Sequence, residues 1–236
     1  MRVISKQVMN NGIQIHYLDT ETDSGLIPLL ICPGLSETAD EYRSMMNYFY
    51  PRRCVVLSFR GRGQSDTPQS GYGLAEHVSD LASVIEATDM NRFHLYAHSR
   101  GVSYALGYAI ANRSRVYSLI LQDYPAMHKQ MPEGWAKQYM QQYLVPFSRQ
   151  RNIRPEAVRG IERDSETVNF NDDLGKRVLV LRGMREDSLL SDQDIEQYRR
   201  ICPELQVAQF LQSGHDIRHT EEQRLYQIIN QYISHQ

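Results

Sequence analysis

Five short, continuous apolar segments constrain the fold of this 236-residue chain more than any other feature. They occupy residues 28–32, 54–58, 93–97, 116–121 and 178–181. Each is too short for a core helix and too continuous for a strand with one solvated face, so we interpret them as strands of a parallel sheet covered on both faces. Helical patterns lie between them. This alternation predicts an α/β fold with a mostly parallel central sheet and helices on both faces.

The stretch that follows the fourth apolar segment interrupts this rhythm, because about fifty residues contain no convincing strand. A structureless loop of that length is improbable inside a compact domain. Helical patterns at residues 131–144 and 152–167 predict two or three small helices instead. We therefore expect a core made of residues 1–125 and 173–236, with residues 126–172 inserted over the sheet as a helical lid.

Charge and hydropathy exclude several classes of partner. The formal net charge of −2 gives no electrostatic argument for binding nucleic acid or an anionic membrane. No apolar run approaches the roughly 18 residues of a membrane helix, and the first residues lack the apolar stretch of a signal peptide. The three cysteines cannot all pair within one chain, which favours a reducing compartment. We expect a cytoplasmic protein that acts on a small molecule, and its oligomeric state stays open.

No pattern in the sequence indicates a metal or a cofactor. Histidine, aspartate and glutamate residues show no metal-ligand spacing. Gly61 and Gly63 lack the third glycine of a dinucleotide-binding loop. The sequence therefore predicts chemistry carried by side chains alone.

Residues 93–101, Phe-His-Leu-Tyr-Ala-His-Ser-Arg-Gly, have a serine where a strand runs directly into a helix. This matches the nucleophile-elbow pattern G-x-S-x-G, with Ala97 in place of the first glycine and Gly101 giving room for the sharp turn. Such a turn exposes Ser99 above the sheet edge and aims the backbone N–H of Arg100 at the reacting centre. A simpler reading is a serine that caps a helix. The position after a central strand favours Ser99 as a nucleophile.

A second turn follows the strand at 28–32, where Pro33 and Gly34 lead into Leu35. In a parallel sheet this strand would lie beside the elbow. The backbone N–H groups of Leu35 and Arg100 could then form an oxyanion hole, a pair of donors for the negative oxygen of a tetrahedral intermediate. An ordinary turn between strand and helix is the alternative.

One of the eight histidines stands out as a base. His215 follows Gly214 in a loop between the last predicted strand and the final helix. A base belongs there if the residues of a triad follow the chain order serine, acid, histidine.

Taken together, these motifs resemble the α/β-hydrolase superfamily, and in particular its esterase and lipase-like members. The shared features occur in family order along nearly the whole chain: Cys-Pro-Gly-Leu at 32–35, Arg-Gly-Arg-Gly-Gln-Ser-Asp at 60–66, Ala-His-Ser-Arg-Gly at 97–101, Leu-Ile-Leu-Gln-Asp-Tyr-Pro at 119–125, Arg-Val-Leu-Val-Leu-Arg-Gly at 177–183 and Ser-Gly-His-Asp at 213–216. Many relatives have His-Gly where this chain has Pro33-Gly34. The resemblance implies a Ser–His–acid triad, and it disfavours the dehalogenases and epoxide hydrolases, whose nucleophile is a carboxylate.

The resemblance leaves the acid of the triad open. Most relatives place it in the loop after the strand at 177–183, where Glu186 and Asp187 are available. Others place it directly after the preceding strand, at the position of Asp123. We favour Asp123, because a carboxylate at a strand end is better fixed than one in a charged loop.

The predicted lid contributes an aromatic stripe of Trp135, Tyr139 and Tyr143 at helical spacing. Such stripes often serve packing alone, but some of these rings are candidates for substrate contact. The sequence thus predicts a carboxylesterase that acts on a small apolar or aromatic ester through an acyl-enzyme on Ser99. Thioester, lactone, amide or carbon–carbon bond hydrolysis would use the same residues, and a ligand-binding protein that retains an idle triad is a further alternative.

Overall fold

In the computed structural model, which describes residues 1–234, one large sheet forms the centre of the molecule. The strands are β1 (Ile4–Asn10), β2 (Ile13–Asp19), β3 (Leu29–Cys32), β4 (Cys54–Ser58), β5 (Phe93–His98), β6 (Val116–Gln122), β7 (Met127–His128), β8 (Val168–Asn169), β9 (Arg177–Gly183) and β10 (Leu205–Phe210). The helices are α1 (Arg43–Phe49), α2 (Leu74–Ala87), α3 (Gly101–Ala111), α4 (Trp135–Tyr139), α5 (Pro155–Asp164), α6 (Asp192–Ile201), α7 (Ile217–Thr220) and α8 (Glu222–Ser234), with a 3₁₀ turn at Ala39–Tyr42 and a π-helical turn at Met140–Leu144.

Within residues 1–234, eight of these strands form the sheet in the order β1-β2-β4-β3-β5-β6-β9-β10. The first two strands form an antiparallel hairpin, and β2 pairs antiparallel with β4. From β4 to β10 every neighbouring pair is parallel. The predicted α/β fold with a mostly parallel sheet is therefore confirmed, and β5 lies at its centre.

Helices cover both faces of the sheet, because successive residues of a strand point to opposite sides. In β3, Leu30 and Cys32 pack into a core with α2, α3 and α6, whereas Leu29 and Ile31 pack into a second core with α1 and α8. Such double coverage requires the apolar, uninterrupted strand sequences described above.

The segment predicted as a lid contains α4, the π-helical turn and α5, which share a small apolar cluster that also includes Tyr72. It also contains β7 and β8, which the sequence did not indicate. These two-residue strands pair antiparallel and bring the two ends of the segment together. The division into core and lid stays a prediction.

Candidate active site

Three side chains from separate parts of the chain meet at the edge of the sheet where its parallel strands end. Ser99 follows β5, Asp123 follows β6 and His215 lies in the loop after β10. The His215 Nε2 atom lies 2.9 Å from Ser99 Oγ, and its Nδ1 atom lies 2.9 Å from Asp123 Oδ2. A serine hydroxyl, an imidazole and a carboxylate thus form one continuous line of hydrogen bonds.

Ser99 occupies a sharp turn between β5 and α3. Its φ of +52° lies in the left-handed region, which costs free energy for a residue with a side chain. The turn is held by the Ser99 N–H, which donates to the carbonyl of Gln122 at 2.9 Å. Gly101 is required here, since a Cβ at this position would lie 2.3 Å from the Pro33 carbonyl oxygen. The strand-to-helix corner predicted from the sequence is present in the structure.

Asp123 is fully buried and held from several sides. Its carboxylate accepts hydrogen bonds from the Ser188 hydroxyl at 2.6 Å, the Leu189 N–H at 2.9 Å and the Gly183 N–H at 3.2 Å, in addition to His215. Burial raises the pKa of this carboxyl, but the hydrogen bonds outweigh that effect and the net pKa lies below its usual value of 3.8. Asp123 is thus suited to remain ionised beside the imidazole.

The other two candidate acids do not reach the imidazole ring. Asp187 accepts a hydrogen bond from the backbone N–H of His215 at 3.3 Å and packs over Gly214, where a Cβ would lie 1.6 Å from its Oδ1 atom. Glu186 is exposed, and no hydrogen bond within residues 1–234 joins it to His215. Of the three carboxylates, the structure brings only Asp123 to the ring of His215.

The Pro33–Leu35 turn runs beside Ser99, as a Cβ on Gly34 would lie 3.2 Å from Ser99 Cβ. The Gly34 N–H is occupied, because it donates to Glu37 at 2.6 Å. The backbone N–H groups of Leu35 and Arg100 have no acceptor among the described residues. These two donors are therefore available for a developing oxyanion.

A buried polar cluster beneath this turn was not foreseen from the sequence. Glu37 binds Arg218 through Oε1 at 2.6 Å, and its Oε2 atom accepts from Tyr42 at 2.5 Å and from His98 at 2.9 Å. Burial raises the pKa of Glu37, but His98, Arg218 and the hydrogen bonds together hold it well below its usual value. The His98 ring also stacks on His215 with centroids 5.0 Å apart. Because these residues are far apart in sequence, no local motif predicted the cluster.

Comparison with known proteins is consistent with this architecture. Residues 27–159, more than half of the chain, match the family described as alpha/beta hydrolase fold. The chain therefore belongs to the α/β-hydrolase family, a family of hydrolytic enzymes.

Two sequence relatives and one solved structure are similar to this chain. A non-heme chloroperoxidase from Streptomyces lividans is 30% identical over 115 residues, which cover 48% of this chain and only 41% of that protein. N-formylmaleamate deformylase from Pseudomonas putida is 23% identical over 267 aligned positions, which cover 99% of this chain and 97% of that enzyme. The esterase RhEst1 from Rhodococcus sp. ECU1013 superposes with a TM-score of 0.81 at 18% identity, covering 100% of this chain and 99% of that structure.

Neither a metal site nor a membrane span is evident in the described part of the chain. Histidine, cysteine, aspartate and glutamate side chains of residues 1–234 form no group of three that could hold a metal ion. In the same residues, no helix is both long enough and apolar enough to cross a membrane.

Proposed function

We propose that this protein is a serine hydrolase that works through an acyl-enzyme on Ser99. The observation that carries the proposal is the hydrogen-bonded line from Asp123 through His215 to Ser99, with both distances at 2.9 Å. In this reading His215 is the general base and Asp123 holds the imidazole in the tautomer that leaves Nε2 free to accept a proton.

The reaction then proceeds in two halves. Ser99 Oγ attacks the substrate carbonyl carbon while His215 Nε2 takes the hydroxyl proton. The N–H groups of Leu35 and Arg100 stabilise the negative oxygen of the tetrahedral intermediate. His215 returns the proton to the leaving group, which departs and leaves an acyl-enzyme. Water, deprotonated by His215, hydrolyses that ester and restores Ser99.

The substrate we favour is a small carboxylic ester with an apolar or aromatic body. The rings of Trp135 and Tyr139 stack with centroids 4.8 Å apart, and the Tyr139 hydroxyl donates to Ser36 Oγ at 2.9 Å, one residue beyond Leu35. This contact links the aromatic stripe to the oxyanion turn. We therefore propose that residues 126–172 are a lid whose rings contact the substrate.

Amide hydrolysis is the second candidate, and one observation favours it. One relative that aligns over nearly the full length of both chains is a deformylase, and its name denotes cleavage of a formyl group from nitrogen. The same serine, base and oxyanion donors would serve, because the tetrahedral intermediates of ester and amide cleavage are alike. Comparing matched esters and amides separates the two.

We further propose that the protein works as a small-molecule enzyme in the cytoplasm. Its three cysteines are buried free thiols, which suits a reducing compartment.

A fluorophosphonate probe tests the nucleophile directly. It reacts with an activated serine, so we expect covalent labelling that peptide mass spectrometry assigns to Ser99 and that Ser99→Ala abolishes. Ser103→Ala is the matched control, because Ser103 lies on α3, where its hydroxyl donates to a backbone carbonyl. It should still label. An unlabelled wild type, or labelling that persists in Ser99→Ala, would contradict the proposal.

A further inference from the structure

Two guanidinium groups are buried beside the candidate active site without a carboxylate. Arg62 is 0% exposed and Arg100 is 1% exposed. A guanidinium stays protonated in proteins, so burial leaves two positive charges in the interior. Within residues 1–234, every hydrogen-bond acceptor of both groups is a carbonyl, a hydroxyl or an imidazole. Buried charges ordinarily pair with an opposite charge, so this arrangement lacks an anion.

The imidazoles do not supply that anion. Arg62 Nη1 lies 2.9 Å from His77 Nε2, and His77 Nδ1 lies 2.7 Å from the carbonyl of Gly73, so Nδ1 carries the proton and the ring is neutral. Burial and Arg62 hold the pKa of His77 well below its usual value. His128, which binds Arg100, is also neutral, because burial lowers its pKa to about 3.

The carboxylate of Asp80, whose charge acts on Arg62, already binds another arginine. Asp80 is fully buried and binds Arg60 through both of its oxygens, at 2.7 and 2.9 Å. The Asn10 side-chain amide donates a further hydrogen bond to Asp80 Oδ1 at 2.8 Å. Arg60 thus binds both oxygens of Asp80, and Arg62 has no carboxylate hydrogen-bonded to it within residues 1–234.

One nitrogen of the Arg62 guanidinium has no hydrogen-bond acceptor. Its Nε donates to the Leu35 carbonyl at 2.9 Å and its Nη1 donates to the Arg60 carbonyl at 2.6 Å, but Nη2 is buried without any hydrogen-bond partner. A buried donor without an acceptor is costly, which makes this nitrogen a position where a ligand atom is expected. Arg100, in contrast, uses all three of its nitrogens.

The free nitrogen lies on the guanidinium edge that contacts the proposed oxyanion turn. In a planar guanidinium Nη2 shares one edge with Nε, and here that Nε binds the carbonyl of Leu35, whose N–H is a proposed oxyanion donor. The backbone of Arg62 forms a bridge with Ile153 of the inserted segment. Arg62 therefore lies between the oxyanion turn and the proposed lid.

We propose that the substrate carries a carboxylate, and that Arg62 Nη2 binds it where the oxyanion turn meets the inserted segment. The substrate class is then the monoester or monoamide of a dicarboxylic acid, whose apolar middle lies against the lid and whose second carboxyl stays ionised. Arg100 adds positive potential without direct contact. This inference rests on the proposed function, since it assigns the acyl group of the same reaction.

The test uses matched pairs of ethyl esters. Monoethyl succinate, glutarate and adipate are each compared with the neutral ester in which an isopropyl group replaces the carboxylate. We expect kcat/KM of the wild type to favour at least one charged ester by about ten- to a hundredfold, the range expected for a hydrogen bond to a charged group. No preference for any charged member would overturn the proposal.

Variants of Arg62 assign the preference to this residue. Arg62→Met should abolish the preference, chiefly by raising KM of the charged ester, and Arg62→Lys should lower it at least about threefold, because a lysine lacks the fixed fork. The matched control is Arg154→Met, because Arg154 donates to the Gly63 carbonyl at 2.6 Å on the same loop. It should change both esters equally. If Arg62 only fixes the Leu35 carbonyl, its variants will also slow both esters equally, which would contradict the proposal.

A binding measurement separates this inference from the proposed function. Calorimetry on Ser99→Ala should detect succinate, glutarate or adipate, and adding Arg62→Met should weaken that binding at least about tenfold. If Ser99 fails to react with the fluorophosphonate while a dicarboxylate binds, the proposed function is wrong and the anion site stands. If Ser99 reacts but no dicarboxylate binds and no charged ester is preferred, the anion site is wrong.

Discussion

The central strands and the inserted segment bury their side chains in different ways. All residues of β3, β4 and β5 are buried, and helices cover them on both faces. The insertion contains a row of neighbouring rings, Trp135, Tyr139, Tyr143 and Phe147, in which exposure rises to 38% at Tyr143 and 65% at Phe147. Two of the candidate catalytic groups, Ser99 and Asp123, directly follow strands of the sheet, which fixes their positions. The insertion offers rings that can change without disturbing the sheet, so we expect chemistry to depend on the first region and substrate choice on the second.

Replacing the proposed nucleophile should have the largest effect. We expect Ser99→Ala to lower kcat by about 10⁴–10⁶ while leaving the fold intact, because triad losses typically have this size. In the insertion, Phe147→Ala should leave kcat within about threefold, since this ring is mostly exposed. Steady-state kinetics on any substrate found, with circular dichroism as the folding control, decides the point. Activity of Ser99→Ala within tenfold of wild type would remove Ser99 as nucleophile.

Replacing the proposed acid, Asp123, should cause the next largest loss of kcat. Asp123→Asn should reduce kcat by as much as about 10⁴, because an amide favours the wrong tautomer of His215. Asp187→Asn keeps an oxygen for the backbone N–H of His215, and Glu186→Gln removes an exposed charge worth at most about 1 kcal/mol, so both should be mild. The reverse ranking in kcat would move the acid to the later loop.

Truncating a side chain in the central strands should lower the free energy of unfolding more than truncating one in the insertion. Leu95 lies fully buried in β5, and Leu95→Ala should lower the free energy of unfolding by about 2–5 kcal/mol through loss of burial and creation of a cavity. Phe147→Ala should change it by about 0.5 kcal/mol or less. Urea denaturation measures both values. Equal losses would mean that the insertion is packed as tightly as the sheet.

Acid titration tests the polar cluster around Glu37, beneath the Pro33–Leu35 turn. The pKa of Glu37 in the folded protein lies below its usual value of 4.5, so its ionised carboxylate stabilises the fold above pH 4.5, and this contribution is lost as the pH falls through the folded pKa. At pH 7 Glu37→Gln should be less stable than wild type by about 1–3 kcal/mol. The difference should narrow steadily below pH 4.5 in urea titrations at several pH values. A constant difference would show that the carboxylate charge is not what stabilises this cluster.

The smallest expected effect concerns the lid. Trp135→Ala removes the inner ring of the row and should lower the preference for aromatic over short aliphatic esters by about tenfold, a size usual for one apolar contact in a pocket. Tyr48→Ala, an exposed ring on α1, is the matched control and should leave the preference unchanged. An unchanged preference in Trp135→Ala would show that this ring serves packing alone.

The sequence predicted the sheet well because its strands are buried on both faces, which leaves a continuous apolar signal in β3, β4 and β5. The sharp turn at Ser99 could also be predicted from the sequence, because only glycine fits at position 101. Other features depend on contacts between distant parts of the chain. Arg218 and Glu37 are 181 positions apart, and β7 and β8 are too short to show a period.

The choice among the candidate acids shows the same limit. Asp123, Glu186 and Asp187 are chemically alike, and only the path of the loop decides which one faces His215. Gly183 and Gly214 fix that path, since a Cβ on Gly183 would lie 1.9 Å from the carbonyl oxygen of Gly214. Sequence spacing does not record such a close approach of two backbones.

The left-handed backbone at Ser99 lowers the stability of the fold, although the proposed chemistry requires a serine there. At φ +52° the conformational free energy of a glycine is lower than that of a serine by about 1 kcal/mol. A library screened for thermal stability alone should therefore enrich glycine at this position, although that change removes the hydroxyl. Positions where selection for stability and labelling by the fluorophosphonate probe disagree would therefore locate the proposed catalytic centre without a known substrate.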